Sequence, residues 1–210
     1  MTINYIIEGP KGVGKSTLAK QLKNSIDGNV IIKHFDSTHL LDMNDMNQHR
    51  IELNHYIYDR GYLSYLVYGW VQNYHQSFKT IVDHDTITLK SWSPLSREHF
   101  VEWLNNVDDE VGQIYIMYAS DWNVLKDRIS KREKESGKGA TSDELEALEM
   151  SNTVFKHYAY ILEKMEEIEN KKNNKIHKKI IPIDICKEWD IWKIAIKKMI
   201  HRLILNKEDL

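Results

Sequence analysis

A three-layer α/β fold, with a five-stranded parallel sheet flanked by helices and a small lid, is the architecture this sequence predicts. Two observations predict it. Short apolar, β-branched or aromatic runs alternate with segments of helical period along the 210 residues, the pattern of strands joined by helical crossovers. And Gly9-Pro10-Lys11-Gly12-Val13-Gly14-Lys15-Ser16-Thr17 fits G-x-x-x-x-G-K-[ST] at every defined position, between a predicted strand and a predicted helix.

Strand one spans Asn4 to Glu8, where Tyr5, Ile6 and Ile7 form a short buried run. The helix leaving the glycine loop, Ser16 to Ile26, carries Leu18, Leu22 and Ile26 at helical spacing. Asp27-Gly28-Asn29 signals a turn into strand two, Val30 to Phe35. Strand three, His55 to Tyr58, runs into Asp59-Arg60-Gly61, and a helix from Tyr62 to about Tyr74 follows. The segment Gln76 to Asn106 interrupts the alternation: Thr86 to Trp92 is a strand or loop, and a helix runs from about Leu95 to Asn105. Strand four is Gln113 to Tyr118, and Asp121 caps the next helix, Trp122 to about Glu133. Glu133 to Ala140 is polar and glycine-containing, a loop composition. Thr141 and Glu144 then form a capping box for a long helix, about Ser142 to Glu169. Strand five is Lys179 to Ile185, and Pro182 puts it near an edge. Trp189 to Leu205 closes the pattern as an amphipathic helix. No linker divides the chain, so residues 1–210 read as one domain, with the lid at about residues 128–142.

The net charge of −2 provides no overall field for nucleic acid or an anionic membrane. A nucleic-acid partner is therefore not favoured, although a local basic patch is compatible with that charge. The single cysteine, Cys186, permits no disulfide within the chain and suits a reducing compartment, as a small buried hydrophobe beside a strand. No run of 18 apolar residues is present, so no membrane span is expected. The N-terminus enters a strand directly, without a signal-peptide pattern. The cytosol, or that of an infected host, is the expected compartment.

The glycine motif predicts the chemistry of the site. Its backbone N–H groups can turn inward around a polyphosphate, and the new helix adds unpaired N–H groups and a positive dipole end. Gly9, Lys11, Gly12, Val13, Gly14, Lys15, Ser16 and Thr17 are the candidate ATP-binding residues, with Lys15 on the β- and γ-phosphates and Ser16 on Mg²⁺. Other catalytic groups collect where parallel strands end. Asp36, after strand two, could accept a proton or bind a sugar hydroxyl. After strand three, Arg60 offers a planar fork for phosphate, and Asp59 could orient that arginine or a magnesium-bound water. Arg128 and Arg132 share a helix face beside the lid loop and could neutralise a transferring phosphoryl group. Most of the tyrosines between Tyr56 and Tyr74 read as core, and one or two could stack on a base. The histidines His34, His39, His49 and His55 have no metal-ligand spacing.

These residues resemble the thymidylate kinase and deoxynucleoside kinase group of P-loop enzymes. Glu8-Gly9 with Gly12-Val13-Gly14-Lys15-Ser16-Thr17 looks like their opening. Asp59-Arg60-Gly61-Tyr62-Leu63-Ser64, with Tyr68 beyond it, is similar to their Asp-Arg-aromatic signature, and Leu125 to Arg132 to their lid helix. The resemblance implies a P-loop NTPase-like fold, ATP with Mg²⁺, and a nucleotide or nucleoside acceptor whose phosphate Arg60 holds, with Asp36, Asp59 and Tyr62 as substrate-binding positions. A homodimer through the Tyr62–Tyr74 helix is compatible with it. Three departures set the chain apart, one of them the short separation of Lys15 and Asp59, 44 positions by subtraction of their numbers. Lys11 stands where thymidylate kinases carry an acid, and His34-Phe35-Asp36 replaces their Arg-Glu-Pro segment. Such a rebuilt acceptor pocket suits a divergent kinase, a viral one included.

The leading expectation is a nucleoside monophosphate kinase acting on a deoxynucleotide. An ionised phosphate acceptor needs no strong base, so positioning and charge neutralisation supply the catalysis. Two alternatives stay open. In a kinase with a hydroxyl acceptor, either a nucleoside or a polynucleotide end or base, Asp36 would be essential as base. A nucleotide-binding switch or assembly ATPase would have no acceptor. The chain lacks the Asn-Lys-x-Asp segment of GTPases and a good strand ending in Asp-Glu.

Overall fold

In the computed structural model, the described residues are 4–35, 54–61, 63–64, 67–68, 71, 111–137, 139–171 and 179–187. Five strands form one parallel sheet: β1 (Asn4–Glu8), β2 (Val30–His34), β3 (His55–Asp59), β4 (Val111–Tyr118) and β5 (Lys179–Asp184), in the order β2-β3-β1-β4-β5. Three helices complete the described elements: α1 (Lys15–Lys23), α2 (Trp122–Glu135) and α3 (Ser142–Lys171). Leu63, Ser64, Val67, Tyr68 and Val71 are also helical. No helix among the described residues is long and apolar enough to cross a membrane.

Every residue of β1 is buried because helices cover both faces of the sheet. Alternation divides its side chains between two cores. Ile6 joins Tyr56, Tyr58, Ile114, Ile116, Val67, Val154 and Phe155 on one face. Tyr5 and Ile7 join Ile57, Tyr115, Met117, Leu18, Leu22, Leu125 and Ile129 on the other. The three-layer expectation is met: α3 and the helical residues around Val67 cover one face, and α1 and α2 the other. Leu63, Val67 and Val71 are committed to the core.

Several boundaries differ from the sequence reading. Helix α1 stops at Lys23, three residues before Ile26, because the chain already turns at Asn24. Ile26 still packs on the core from outside the helix, so its spacing overstated the helix length. The register His34↔Asp59 ends β2 at His34 and carries β3 to Asp59. Helix α2 continues to Glu135, which shortens the polar loop, and α3 continues to Lys171. β5 lies at the sheet edge, as Pro182 required. The capping box is formed: Thr141 N donates to Glu144 Oε2 at 2.8 Å, and Glu144 N to Thr141 Oγ1 at 3.2 Å. The expected elements at Thr86–Trp92, Leu95–Asn105 and Trp189–Leu205 lie outside the described residues.

Candidate active site

The glycine loop joins the buried end of β1 to α1. Gly14 is the N-cap of α1 and no side chain caps the helix; Thr17 N turns back to Gly14 O at 3.0 Å, and Lys15 and Ser16 begin the helix at the pocket, where their N–H groups can meet a ligand. Lys15 Nζ lies across its own loop, donating to the carbonyls of Gly9 and Pro10 at 2.8 Å each. Burial, and then the neighbouring Arg60, push the Lys15 ammonium down to about 8 against the pull of Asp59 and Glu8. Gly12 has φ +90, and a Cβ there would stand 2.7 Å from Ile129 Cγ1. Only glycine lets the loop rest directly on α2, and that contact seats the arginine-bearing helix beside the phosphate loop.

β3 is hydrogen-bonded to β1 in the register Ile7↔Asp59, which carries the buried Asp59 to the loop. Asp59 Oδ2 accepts from Ser16 Oγ at 2.7 Å and from His34 Nδ1 at 2.9 Å. Arg60 follows with φ 77, the only positive φ at a non-glycine residue among those described. Its N–H donates to Ile7 O at 2.9 Å, and its guanidinium lies 5.6 Å from the Tyr68 ring centroid. The left-handed backbone costs an arginine roughly 1 kcal/mol relative to glycine. Arg60→Gly and Arg60→Ala lose the same side chain, so their difference isolates this strain. Arg60→Gly is expected to be the more stable by about 1 kcal/mol, read as urea midpoints.

Glu8, completely buried at the end of β1, supports this corner. Its carboxylate accepts from the N–H groups of Leu63 (3.1 Å) and Ser64 (2.9 Å), from the Ser64 hydroxyl and from the Gly61 N–H. Burial pushes the Glu8 carboxyl up, and these donors oppose it. An anion at the first turn of the helix after Arg60 also meets its positive dipole end.

The start of α2 is fixed from two sides. Asn152 on α3 donates Nδ2 to Ala119 O at 2.9 Å and accepts from Ala119 N at 2.8 Å. Asp184 Oδ1 accepts from Ser120 N at 3.0 Å and Cys186 N at 3.1 Å. Burial raises the Asp184 carboxyl, but these donors more than offset it and hold it below its ordinary range. Helix α2 then brings Arg128 and Arg132 to the pocket, and Glu133 pairs with Lys11 at 2.8 Å.

The resulting cavity has a volume of about 620 Å³. Its walls are the phosphate loop, the end of β2 at His34 and Phe35, Asp59 and Arg60, and the two α2 arginines. Among the described residues of the lining, five side chains are cationic, Lys11, Lys15, Arg60, Arg128 and Arg132, and one is a carboxylate, Asp59. Among the sequence-predicted residues, Lys11, Gly12, Gly14, Lys15, Ser16, Thr17, Asp59, Arg60, Arg128 and Arg132 meet here. Gly9 contributes its carbonyl to Lys15, whereas the Val13 side chain is buried in the core. Asp36 and Tyr62 lie outside the described residues. Sequence reasoning missed the roles of Glu8, His34, Phe35 and Glu133. Phe35 stacks on Tyr58 with ring centroids 6.0 Å apart, so one wall of the cavity is aromatic.

A glycine loop between a central strand and a helix, with a strand-end carboxylate on its serine, defines the class: a P-loop nucleotide-binding α/β protein. The family model described as AAA domain matches residues 6–149, more than half of the chain, and the chain belongs to that family. Two solved structures are similar to it, both of deoxyadenosine kinase from M. mycoides. The form with bound dATP is 16% identical, with a TM-score of 0.46, covering 99% of this chain and 100% of that one. The form with the products dCMP and a flexible dCDP is 17% identical, with a TM-score of 0.45 and 99% of each chain covered. No curated protein sequence matches significantly.

Proposed function

We propose that this protein is an ATP- and Mg²⁺-dependent nucleoside monophosphate kinase acting on a deoxynucleotide. The observation that carries this reading is the gathering, among the described residues around a 620 Å³ cavity, of Lys15, Arg60, Arg128 and Arg132 with the carboxylate Asp59 and with Lys11, which pairs with Glu133, in a chain whose net charge is −2. A volume of this size suits nucleotide ligands. That excess of positive charge suits two phosphorylated ligands facing each other, a triphosphate donor and a monophosphate acceptor. Lys15 and the N–H groups of α1 would hold the donor phosphates. Arg60 would hold the acceptor phosphate, and Arg128 and Arg132 would neutralise charge on the transferring group.

Ser16 Oγ, a hard oxygen, fits a magnesium ion that takes one or two protein oxygens and completes its shell with phosphate and water, and Asp59, whose Oδ2 accepts from that hydroxyl at 2.7 Å, would meet the ion through one of those waters. Among the described residues no group of three His, Cys, Asp or Glu could hold a metal alone, which suits an ion carried by the nucleotide. When bound, Mg²⁺ supplies charge neutralisation across the β- and γ-phosphates.

The rival reading is an ATPase with no acceptor. A hydrolytic site of that kind would carry a second acid after the strand-end aspartate, and here Arg60 follows Asp59. The test is an acceptor screen. ATP and Mg²⁺ are incubated with each nucleoside, each monophosphate and a short oligonucleotide, and products are read by mass. A nucleoside diphosphate is the expected product. Hydrolysis unaffected by any acceptor would overturn the reading. Asp36→Asn separates the remaining alternative: a phosphate acceptor predicts less than about tenfold loss, whereas a hydroxyl acceptor using Asp36 as base predicts roughly 10²–10⁴-fold.

A further inference from the structure

We propose that His34 is a positioning residue for magnesium, acting through Asp59. His34 ends β2, and the register places it beside Asp59 on β3. Its ring Nδ1 donates to Asp59 Oδ2 at 2.9 Å, and that same oxygen accepts from Ser16 Oγ at 2.7 Å. The carboxylate is buried while the histidine side chain is 61% exposed at the cavity wall. An exposed side chain contributes little to the core, yet this one fixes the rotation of the carboxylate that faces the P-loop serine. Among the described residues both donors meet Oδ2, which leaves Oδ1 for a water of the metal's shell. Groups that orient the partners of a bound metal change its affinity by about 10–100-fold when removed.

The inference takes magnesium and ATP from the proposed function but needs no acceptor. It is tested by binding alone: calorimetric affinity for ATP in Mg²⁺ and in EDTA, whose ratio is the magnesium gain. His34→Ala should reduce that gain by about tenfold or more, with affinity in EDTA unchanged. His34→Asn places its Nδ2–H near the position of the lost Nδ1–H and should retain the gain within about threefold. His34→Gln reaches past that position and should behave as His34→Ala. A His34→Ala variant with the full gain would overturn the proposal, as would a wild-type protein with none. Equal losses in His34→Ala and His34→Asn would also overturn it, because the bond to Asp59 would then not be the cause. If His34→Ala does not fold, the Asn and Gln pair makes the same comparison. A blank acceptor screen with these gains intact would sink the kinase reading and leave this one standing.

Discussion

Replacing Lys15 by Met is expected to reduce phosphoryl transfer by on the order of 10²–10³-fold, the loss typical of one preorganised electrostatic contact, without destabilising the free protein. The unusual half of this expectation is stability. Lys15 is buried, and burial together with Arg60 lowers its ammonium from 10.5 to about 8. A lysine whose folded value lies below its unfolded value loses its proton first in the fold. Between pH 8 and 10 the unfolded chain therefore holds more protons, and stability rises with pH. Below pH 8 both states are protonated, and the full penalty of burying the charge applies. The free wild-type protein should melt higher at pH 9.5 than at pH 7.5 relative to Lys15→Met, which lacks this slope. Nucleotide binding should show the opposite trend, because a triphosphate needs the ammonium. ATP should bind with proton uptake that grows from pH 7 to 9, measurable by calorimetry in buffers of different ionisation enthalpy. A wild-type stability slope identical to that of Lys15→Met would show that Lys15 does not titrate there.

The phosphate loop was legible in the sequence because its chemistry is local. Gly9 to Thr17 are neighbours along the chain, and one strand and one helix orient them all. The sheet was legible for a similar reason, since each strand carries its own apolar run. What could not be read was which strand lies beside which. His34 gains meaning only when β2 and β3 pair in the register His34↔Asp59, and no local pattern encodes that pairing. The same holds for Lys11 and Glu133, 2.8 Å apart in space but separated by most of the sheet in sequence. Asn152 looks like an ordinary mid-helix polar residue until α3 is laid against the end of β4, where its amide takes both backbone groups of Ala119. Pairings across elements, rather than the elements themselves, were missing from the sequence reading.

The largest expected loss of stability is at one of those hidden pairings, Glu8. Glu8→Ala removes the acceptor for the N–H groups of Gly61, Leu63 and Ser64 and for the Ser64 hydroxyl. Water cannot replace it without entering the core, since Glu8, Gly61, Leu63 and Ser64 are all buried. Each abandoned buried donor costs about 1–3 kcal/mol, and Glu8 is the acceptor for several. That is a large part of the 5–15 kcal/mol that holds an ordinary domain together, so the urea midpoint should fall steeply. Gly61 supplies the control. A Cβ there would lie 2.6 Å from Glu8 Oε1 and 2.8 Å from Ile6 Cγ2, so Gly61→Ala should destabilise the wild-type protein on its own. In the Glu8→Ala background the first of those clashes is gone, and the same substitution should cost less by about 1 kcal/mol or more, the coupling expected of residues in contact. Strictly additive losses would mean that the carboxylate does not hold the chain against Gly61. Strong coupling would identify Glu8 as the brace that keeps Arg60 in its left-handed conformation at the cavity.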